Sequence, residues 1–354
     1  QGIIKFPERM GKVVFASSTD LEKLTQASDL IAEYRLAKTT TAFFMEMDAK
    51  EQAGWVDNLL SRIDQPQNPV SSVCILDTGV NNGHPLIQPF LSSEDCQTVD
   101  TAWGAHDHDR HGTLMAGTAL YGDLMPLLES ADPVSIFHIL ESIKILPHDG
   151  ENEPDLWGYI TAQGVYKAEI QAPERKRSYC MAVTATDTRD RGRPSSWSAE
   201  IDQLAATWNE QRLFVISGGN SLHTMGVKEA AQNYPEIQVT ESVHDPAQSW
   251  NALTVGAMTN LVDIVDSNLA SYSPVAEAQT LSPFSTTSST WEENKWPIKP
   301  ELVLEGGNLA IDKTGFATEC DDLSILSTTY RPDSQGYFYP FNMTSAATAQ
   351  LARM

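Results

Sequence analysis

From residue 70 onward, short apolar runs alternate with longer stretches of helical periodicity, and this alternation constrains the fold more than any other feature. Short buried strands separated by helices are typical of a parallel sheet with helices on both faces. We therefore predict an α/β fold with a doubly wound, mostly parallel sheet, whose ligands bind at the carboxyl ends of the strands. The predicted strands lie at 72–76, 142–146, 178–184, 213–217, 252–255 and 301–305, and predicted helices at 114–121, 156–171 and 198–211.

The residues before this region indicate a separate small α/β unit with the order β-α-β-α. Its predicted elements are a strand at 12–16, a helix after an N-cap at 18–20, a strand at 40–47 and a helix opened by Asp48. A polar linker with two prolines follows at 65–69 and interrupts regular structure. The sequence thus predicts a small domain over residues 1–66 and a large one over 70–354.

Composition excludes some classes of partner. Among 354 residues the formal net charge is −23, whereas nucleic-acid binding needs clustered Lys and Arg, and an acidic surface does not favour anionic membranes. No apolar run is long enough for a transmembrane helix. The four cysteines form no CxxC pair, which predicts reduced thiols and a cytoplasmic location. The first residues lack both a signal-peptide layout and an initiator Met, so we expect a processed or partial N-terminus.

The first candidate functional residue is Asp77, which ends an apolar strand and is followed by Thr78 and Gly79. A carboxylate at this place is held rigidly, and the glycine lets the chain turn. The same pattern also suits an Asp that caps a turn, and a bare Asp-Thr-Gly occurs in aspartic peptidases.

The second candidate is His111, which precedes Gly112 and Thr113 at the start of a predicted helix. The positive field of a helix N-terminus disfavours protonated histidine, so we expect a neutral base here. An ordinary surface histidine before a helix would show the same pattern.

The third candidate is Asn220, which follows the apolar strand at 213–217 and two glycines. The glycines let the backbone approach a ligand, and an amide aimed from the strand end can donate to an oxyanion. As a turn signal alone, Gly-Gly-Asn is common.

The fourth candidate is Ser345, which lies among small residues at a predicted helix start. Small neighbours leave its hydroxyl accessible, and the helix N-terminus offers backbone N–H groups to a developing negative charge. The alternative is an N-capping serine without a catalytic role.

Taken together in the chain order Asp, His, Ser, these motifs resemble those of the subtilisin-like serine peptidases, the subtilases. Further similar segments lie at 143–146, 250–257, 282–285 and 299–303. The resemblance covers residues from about 70 to the C-terminus, and it implies a subtilisin-like catalytic domain that hydrolyses peptide bonds.

The resemblance implies a role for each matching residue. Ser345 would be the nucleophile, His111 its general base, and Asp77 the residue that orients His111. Asn220 and the Ser345 backbone N–H would form the oxyanion hole. A peptide or protein substrate would add as a strand along two segments, and no cofactor is implied. The predicted substrate-binding residues are Ala182, Val183, Thr184, Ser217, Gly218 and Gly219.

The sequence also departs from the family pattern. Met343 stands where family members usually carry a glycine, and methionine takes a positive φ only at a cost, so the nucleophile turn would differ or Met343 would crowd the cleft. The charged run at 187–194 suggests either a solvated loop or a charged wall for a substrate. The chain ends nine residues after Ser345, where the family continues, so we expect a piece of a longer protein.

Other interpretations remain open at this point. His106 and His108 could bind zinc on one face of a strand, although no partner motif such as H-E-x-x-H accompanies them, and we predict no metal site. The N-terminal unit could be a pro-domain, an accessory domain or a site for a regulatory partner. Alternatives to the peptidase are a catalytically silent peptide-binding module and an esterase with the same triad.

Overall fold

The computed structural model describes residues 3–5, 10–12, 14, 16–34, 40–66, 71–185, 191–207, 212–223, 226–329 and 336–354, with backbone only for 3–5, 10–12 and 223. The chain forms two compact units, Gln1–Thr39 and Thr40–Met354. In the first unit, a short antiparallel strand pair precedes one helix. The second unit contains the sheet and every candidate residue.

The helices begin and end as follows. They are α1 (Ser18–Ala27), α2 (Thr41–Met45), α3 (Ala49–Leu60), α4 (His111–Tyr121), α5 (Leu124–Glu129), α6 (Trp157–Gln171), α7 (Ser196–Ala205), α8 (Val227–Gln232), α9 (Glu236–Thr240) and α10 (Met343–Arg353). The strands are β1 (Ile3–Lys5), β2 (Met10–Lys12), β3 (Ile63–Asp64), β4 (Ser71–Asp77), β5 (Cys96–Thr98), β6 (Val134–Ser135), β7 (Ile139–Lys144), β8 (Lys176–Met181), β9 (Leu213–Ser217), β10 (Leu253–Thr259), β11 (Tyr272–Pro274), β12 (Thr280–Leu281), β13 (Leu302–Glu305), β14 (Leu309–Asp312), β15 (Ala317–Glu319), β16 (Ile325–Thr328) and β17 (Phe338–Phe341).

The central sheet has the strand order β12-β10-β9-β8-β4-β7-β5, and β13 also pairs with β10. All of these pairs are parallel except the antiparallel pair of β10 and β12. The prediction of a doubly wound, mostly parallel sheet is confirmed. Each predicted strand of the region after residue 70 corresponds to one of these strands.

Strand β4 is buried on both faces, which explains its nearly continuous apolar sequence. Val73 and Ile75 contact one core cluster, which includes side chains of α4 and α10. Cys74 and Leu76 point to the opposite face and contact a second cluster with side chains of α6 and α7. The helices therefore cover both faces, and Asp77 emerges from the carboxyl end of a rigid strand.

The second half of the predicted small domain corrects one prediction. Residues 40–47 were expected to form a strand, but residues 41–45 form α2. Phe44 is fully buried, and its ring packs edge-on against Phe338 at 5.7 Å between centroids, so tertiary packing overrides the strand-like composition. The second helix does open at Asp48, with a capping box to Glu51.

Helices α2 and α3 belong to the larger unit. The Gln52 side chain on α3 is buried, and its Oε1 accepts hydrogen bonds from the backbone N–H groups of Tyr337 and Phe338, at 2.6 and 3.2 Å. The compact units consequently divide after Thr39, earlier than the predicted boundary at 66–70. A pro-domain or accessory role for residues 1–66 stays a prediction.

Three further predictions involve single segments. The predicted strand at 12–16 shares only Lys12 with β2, the described residues Val14 and Ala16 are not in a strand, and Val13 and Phe15 lie outside the described residues. The helix predicted to reach 211 ends at Ala205, and residues 208–211 also lie outside the described part. All four cysteines are free thiols, of which only Cys96 is partly exposed. No described helix has the length and apolarity needed to cross a bilayer.

Candidate active site

Asp77 and His111 form a hydrogen-bonded pair at the carboxyl end of β4. The Asp77 side chain is only 1% exposed, and its Oδ1 accepts the Thr78 backbone N–H at 2.7 Å. Its two oxygens lie 2.9 and 3.0 Å from His111 Nδ1. A carboxylate only accepts, so Nδ1 carries the proton and Nε2 is the ring nitrogen that can take up another.

His111 is the first residue of α4, and this helix start approaches the Asp77 loop very closely. The Gly112 N–H donates to Thr78 Oγ1 at 3.0 Å. A Cβ on Gly112 would overlap the carbonyl oxygen of Gly79, so only glycine fits between the helix and the loop. The predicted His-Gly pair therefore has a steric reason: the glycine lets the histidine reach Asp77.

Asp107 caps this helix from four residues before His111, and it is a residue that our sequence reasoning missed. Its Oδ2 accepts the Thr113 N–H at 2.9 Å, and its Oδ1 accepts Thr78 Oγ1–H and the Arg110 N–H, each at 2.9 Å. The capping residue Arg110 forms no side-chain cap of its own. The sequence signal that could have identified it is an Asp shortly before a predicted helix start.

The electrostatic environment of His111 differs from the expectation. Burial disfavours its protonated form, but the carboxylates of Asp77, Asp107 and Asp109 outweigh burial and raise the pKa of His111 above its ordinary value. The direction is opposite to the lowered pKa that the helix N-terminus led us to expect, because these three carboxylates favour the protonated ring. Nε2 of His111 can accept a proton once the pH exceeds the raised pKa.

Ser345 lies in the first turn of α10, which packs against α4 and the sheet. Its side chain is 6% exposed, and Ala346 and Ala347 beside it are fully buried. Among the described residues, no hydrogen bond joins Ser345 to His111. The ring of Phe341, which ends β17 just before α10, lies 5.9 Å from the His111 ring.

The turn before Ser345 keeps the backbone that a glycine would take. Met343 has φ +67°, and its N–H donates to the Gly306 carbonyl at 2.7 Å. Its side chain is partly buried against an apolar cluster that includes Phe284 and Leu309. We expected Met343 either to change this turn or to crowd the cleft, and a changed turn is not observed.

Asn220 contacts the start of α10 directly. Its Oδ1 accepts hydrogen bonds from the backbone N–H and the hydroxyl of Thr344, at 3.0 and 2.7 Å. These bonds fix the amide through its oxygen, so its NH2 group is the end that can donate to an oxyanion. Asn220 and the residue before Ser345 are thereby brought together.

A cavity of about 190 Å³ adjoins the Asp77–His111 pair. Three of the predicted substrate-binding residues, 182–184, line it together with Leu146 and Asp109. A larger cavity of about 520 Å³ lies at the amino ends of β4, β8 and β9, where Ser71, Lys176 and Leu213 line it, and it contains none of the candidate residues. The smaller cavity is therefore the relevant one for the candidate site.

Three predicted substrate-binding residues remain. Ser217 ends β9, and Gly218 and Gly219 form the turn that leads to Asn220. Gly219 has φ +90°, and a Cβ there would overlap the ring of His244. The Gly218 carbonyl accepts the His244 N–H at 2.9 Å. His244 therefore packs against this turn. The turn does not line the 190 Å³ cavity.

Comparison with known proteins identifies the family of this chain. The model of the Subtilase family matches residues 70–354. The chain belongs to the subtilase family. It is a subtilisin-like serine peptidase, so the resemblance to this family is confirmed. A search of curated proteins found no significant match.

Solved structures agree with this assignment at the level of the fold. The subtilase is similar to the CspB protease of Clostridium perfringens, with 13% identity, coverage of 80% of this chain and 81% of that one, and a TM-score of 0.51. It is also similar to Sphericase, with 19% identity, coverage of 82% and 76%, and a TM-score of 0.50. At such low identity these likenesses show the fold alone.

His106 and His108, which could have bound zinc, make different contacts in this subtilase. The His108 ring packs edge-on against His148 at 5.1 Å, and the His106 carbonyl accepts Lys144 Nζ at 3.0 Å. Within the described ranges, no group of three or more His, Cys, Asp or Glu side chains could hold a metal ion. Residues 187–190 of the charged run at 187–194 lie outside the described residues, and within the rest of the run the Gly192 N–H donates to Gln248 Oε1 at 2.8 Å.

Proposed function

We propose that this subtilase is an endopeptidase that works through an acyl-enzyme, with Asp77, His111 and Ser345 as its triad. The observation that carries the proposal is the placement of both Asp77 oxygens on His111 Nδ1. This contact fixes the ring so that Nε2 is the basic nitrogen. Asp77 also stabilises the imidazolium that forms when Nε2 is protonated.

In the acylation step, Ser345 Oγ attacks the carbonyl carbon of the scissile peptide while its proton moves to His111 Nε2. The carbonyl oxygen becomes an oxyanion. When the C–N bond breaks, the leaving amine takes the proton from His111, and the acyl group stays on Ser345. A water molecule then repeats the sequence, which releases the carboxylic acid and restores the serine.

The oxyanion would accept hydrogen bonds from the Asn220 NH2 group and the Ser345 backbone N–H. Thr344 supports this role because its two hydrogen bonds hold the Asn220 oxygen away from the oxyanion. Loss of one such donor in subtilisin costs about 100- to 1000-fold in kcat, so we expect Asn220→Ala to fall in this range. Asn220→Asp would remove the donor and add an unfavourable negative charge.

Within the described residues, Ser345 and His111 share no hydrogen bond. Catalytic hydrogen bonds are often long before substrate binds and shorten in the Michaelis complex. We propose that a peptide bound in the 190 Å³ cavity completes this contact, because His111 and residues 182–184 line the same space.

A fluorophosphonate probe tests the proposal, because it reacts with an activated serine and leaves an ordinary serine unmodified. We expect labelling of the wild type and of the exposed-serine control Ser61→Ala, and none of Ser345→Ala or His111→Ala. Thermal unfolding of each variant shows whether it is folded.

Two results would contradict parts of the proposal. Labelling that persists in Ser345→Ala would exclude this serine as the nucleophile. A folded wild type without labelling would exclude the acyl-enzyme and favour a silent peptide-binding module. Turnover of short esters without turnover of casein would favour an esterase.

A further inference from the structure

The cavity beside His111 contains a charged side chain that the proposed mechanism does not use. Asp109 lines this cavity with Asp77, His111, Leu146, Ala182 and Val183. Asp77 is committed to His111 through both of its oxygens. Asp109 is therefore the carboxylate that a substrate side chain entering the cavity would meet.

The position of Asp109 is fixed through its backbone, while its carboxylate remains available. Its N–H donates to Asp107 Oδ1 at 2.9 Å, and Asp107 in turn caps α4. The Asp109 side chain is exposed, and within the described residues its carboxylate accepts no hydrogen bond and pairs with no Lys or Arg. A fixed backbone with an unpaired charge is suited to recognise an incoming cation.

The other cavity walls fit the stem of a long basic side chain. Leu146, Ala182 and Val183 present apolar surface. The cavity volume of about 190 Å³ leaves room for one side chain. Lysine and arginine combine an aliphatic stem with a charged end, so the stem would contact the apolar wall and the cation would face Asp109.

We propose that Asp109 is a specificity residue that selects a lysine or arginine side chain of the substrate in the cavity next to the scissile bond. This inference rests on the proposed peptidase function. It concerns residues before the scissile bond, where an extended peptide would run along residues 182–184. The net charge of −23 favours the approach of basic peptides in general, whereas Asp109 confers the preference at one position.

A purely indirect role of Asp109 makes a different prediction. Its charge also supports protonation of His111, and that effect changes the hydrolysis of every substrate by the same factor. A ratio of rates between two substrates cancels the effect, but a direct contact changes the ratio. The test therefore compares substrates within each variant.

The test uses peptides that carry Lys, Arg, Ala or Glu, one at a time, at each of the four positions before a single scissile bond. For the wild type we expect kcat/KM to be about tenfold higher with Lys than with Glu at one of these positions. Asp109→Asn should bring this ratio close to one, and Asp109→Lys should invert it. The exposed helix residue Asp57 provides the control, because Asp57→Asn removes the same charge outside the cavity and should keep the wild-type ratio. Added salt should reduce the wild-type ratio through screening.

A wild type that hydrolyses the peptides without a Lys-over-Glu preference would overturn the inference and leave the peptidase proposal intact. The same holds if the preference survives in Asp109→Asn. A separate measurement covers the case of no hydrolysis: anisotropy titrations of labelled Lys and Glu peptides with Ser345→Ala, with and without Asp109→Asn. Preferential Lys binding that depends on Asp109 would support the inference even if the peptidase proposal failed, and equal binding of both peptides would overturn it.

Discussion

Replacing Gly112 by alanine tests whether the close packing of helix α4 against the loop after Asp77 sets the position of His111. An alanine Cβ would overlap the Gly79 carbonyl oxygen, and it would lie 3.0 Å from the Gly79 carbonyl carbon and 3.2 Å from Thr78 Oγ1. The first two atoms belong to the backbone, so rotation of a side chain cannot relieve the overlap. The start of α4 must then move away from the loop.

The size of the effect follows from this geometry. A displacement of about 1 Å would stretch the Asp77–His111 contacts from 2.9 and 3.0 Å toward 4 Å, beyond hydrogen-bond length. Misplacement of this size costs about 100-fold in rate. Overpacking of a tight site costs about 1–3 kcal/mol in the free energy of unfolding, and we expect the upper end because backbone opposes the Cβ.

Fluorophosphonate labelling rates and urea unfolding measure the two quantities, with Gly54→Ala as the matched control. Gly54 lies within α3, and a Cβ there would meet nothing within 4 Å. The control should label at the wild-type rate and gain about 0.5–1 kcal/mol, because alanine loses less entropy than glycine in a helix. Wild-type labelling and an unchanged urea midpoint for Gly112→Ala would refute the argument that close approach sets the Asp77–His111 geometry.

Three further predictions concern titration and the contacts of α3. Neighbouring carboxylates raise the pKa of His111, so the acid limb of kcat/KM should lie above pH 6.5. Asp109→Asn should shift this limb to lower pH, because it removes one of these carboxylates. A pH–rate profile with a neutral substrate checks both expectations. Gln52→Ala should lower the free energy of unfolding by about 2–4 kcal/mol in urea titrations, because it leaves the partly buried N–H of Tyr337 and the buried N–H of Phe338 without acceptors. Burial lowers the pKa of His84 to about 4. The neutral His84 side chain therefore contributes fully to stability above pH 6.5, and this contribution falls by about 3 kcal/mol as the pH drops to 4. Urea unfolding at a series of pH values should show a flatter pH dependence for His84→Gln than for the wild type.

The parts of the fold that could be predicted are those where one local signal dominates. Strands β4 and β9 are buried on both faces, so their sequences are nearly continuous apolar runs, and the bounds predicted for β9 agree with the structure. The capping box at Asp48 likewise marks the start of α3 through two adjacent side chains. These signals depend on few distant contacts.

Elements that depend on distant partners could not be predicted in the same way. Helix α2 has the aromatic and β-branched composition of a strand, and its helical form is stabilised by contacts hundreds of residues away, such as the hydrogen bond from Thr41 Oγ1 to the Ser324 carbonyl at 2.9 Å. The role of Asp107 depends on the turn that places it at the start of α4. The pKa of His111 depends in part on the Asp77 carboxylate, which lies far away in the sequence and which only the folded chain brings to the ring.

Met343 shows how the surroundings can impose a backbone conformation that the residue itself disfavours. Its left-handed φ of +67° costs about 1–2 kcal/mol relative to glycine. The Gly306 carbonyl accepts its N–H, and Gly306 itself packs so tightly that a Cβ there would lie 2.8 Å from the Met343 carbonyl oxygen. Contacts of the Met343 side chain with the Phe284 cluster offset part of the strain. The path of β17 and the contact with Gly306 therefore determine the turn, so the replacement of glycine by methionine is no argument against Ser345 as the nucleophile.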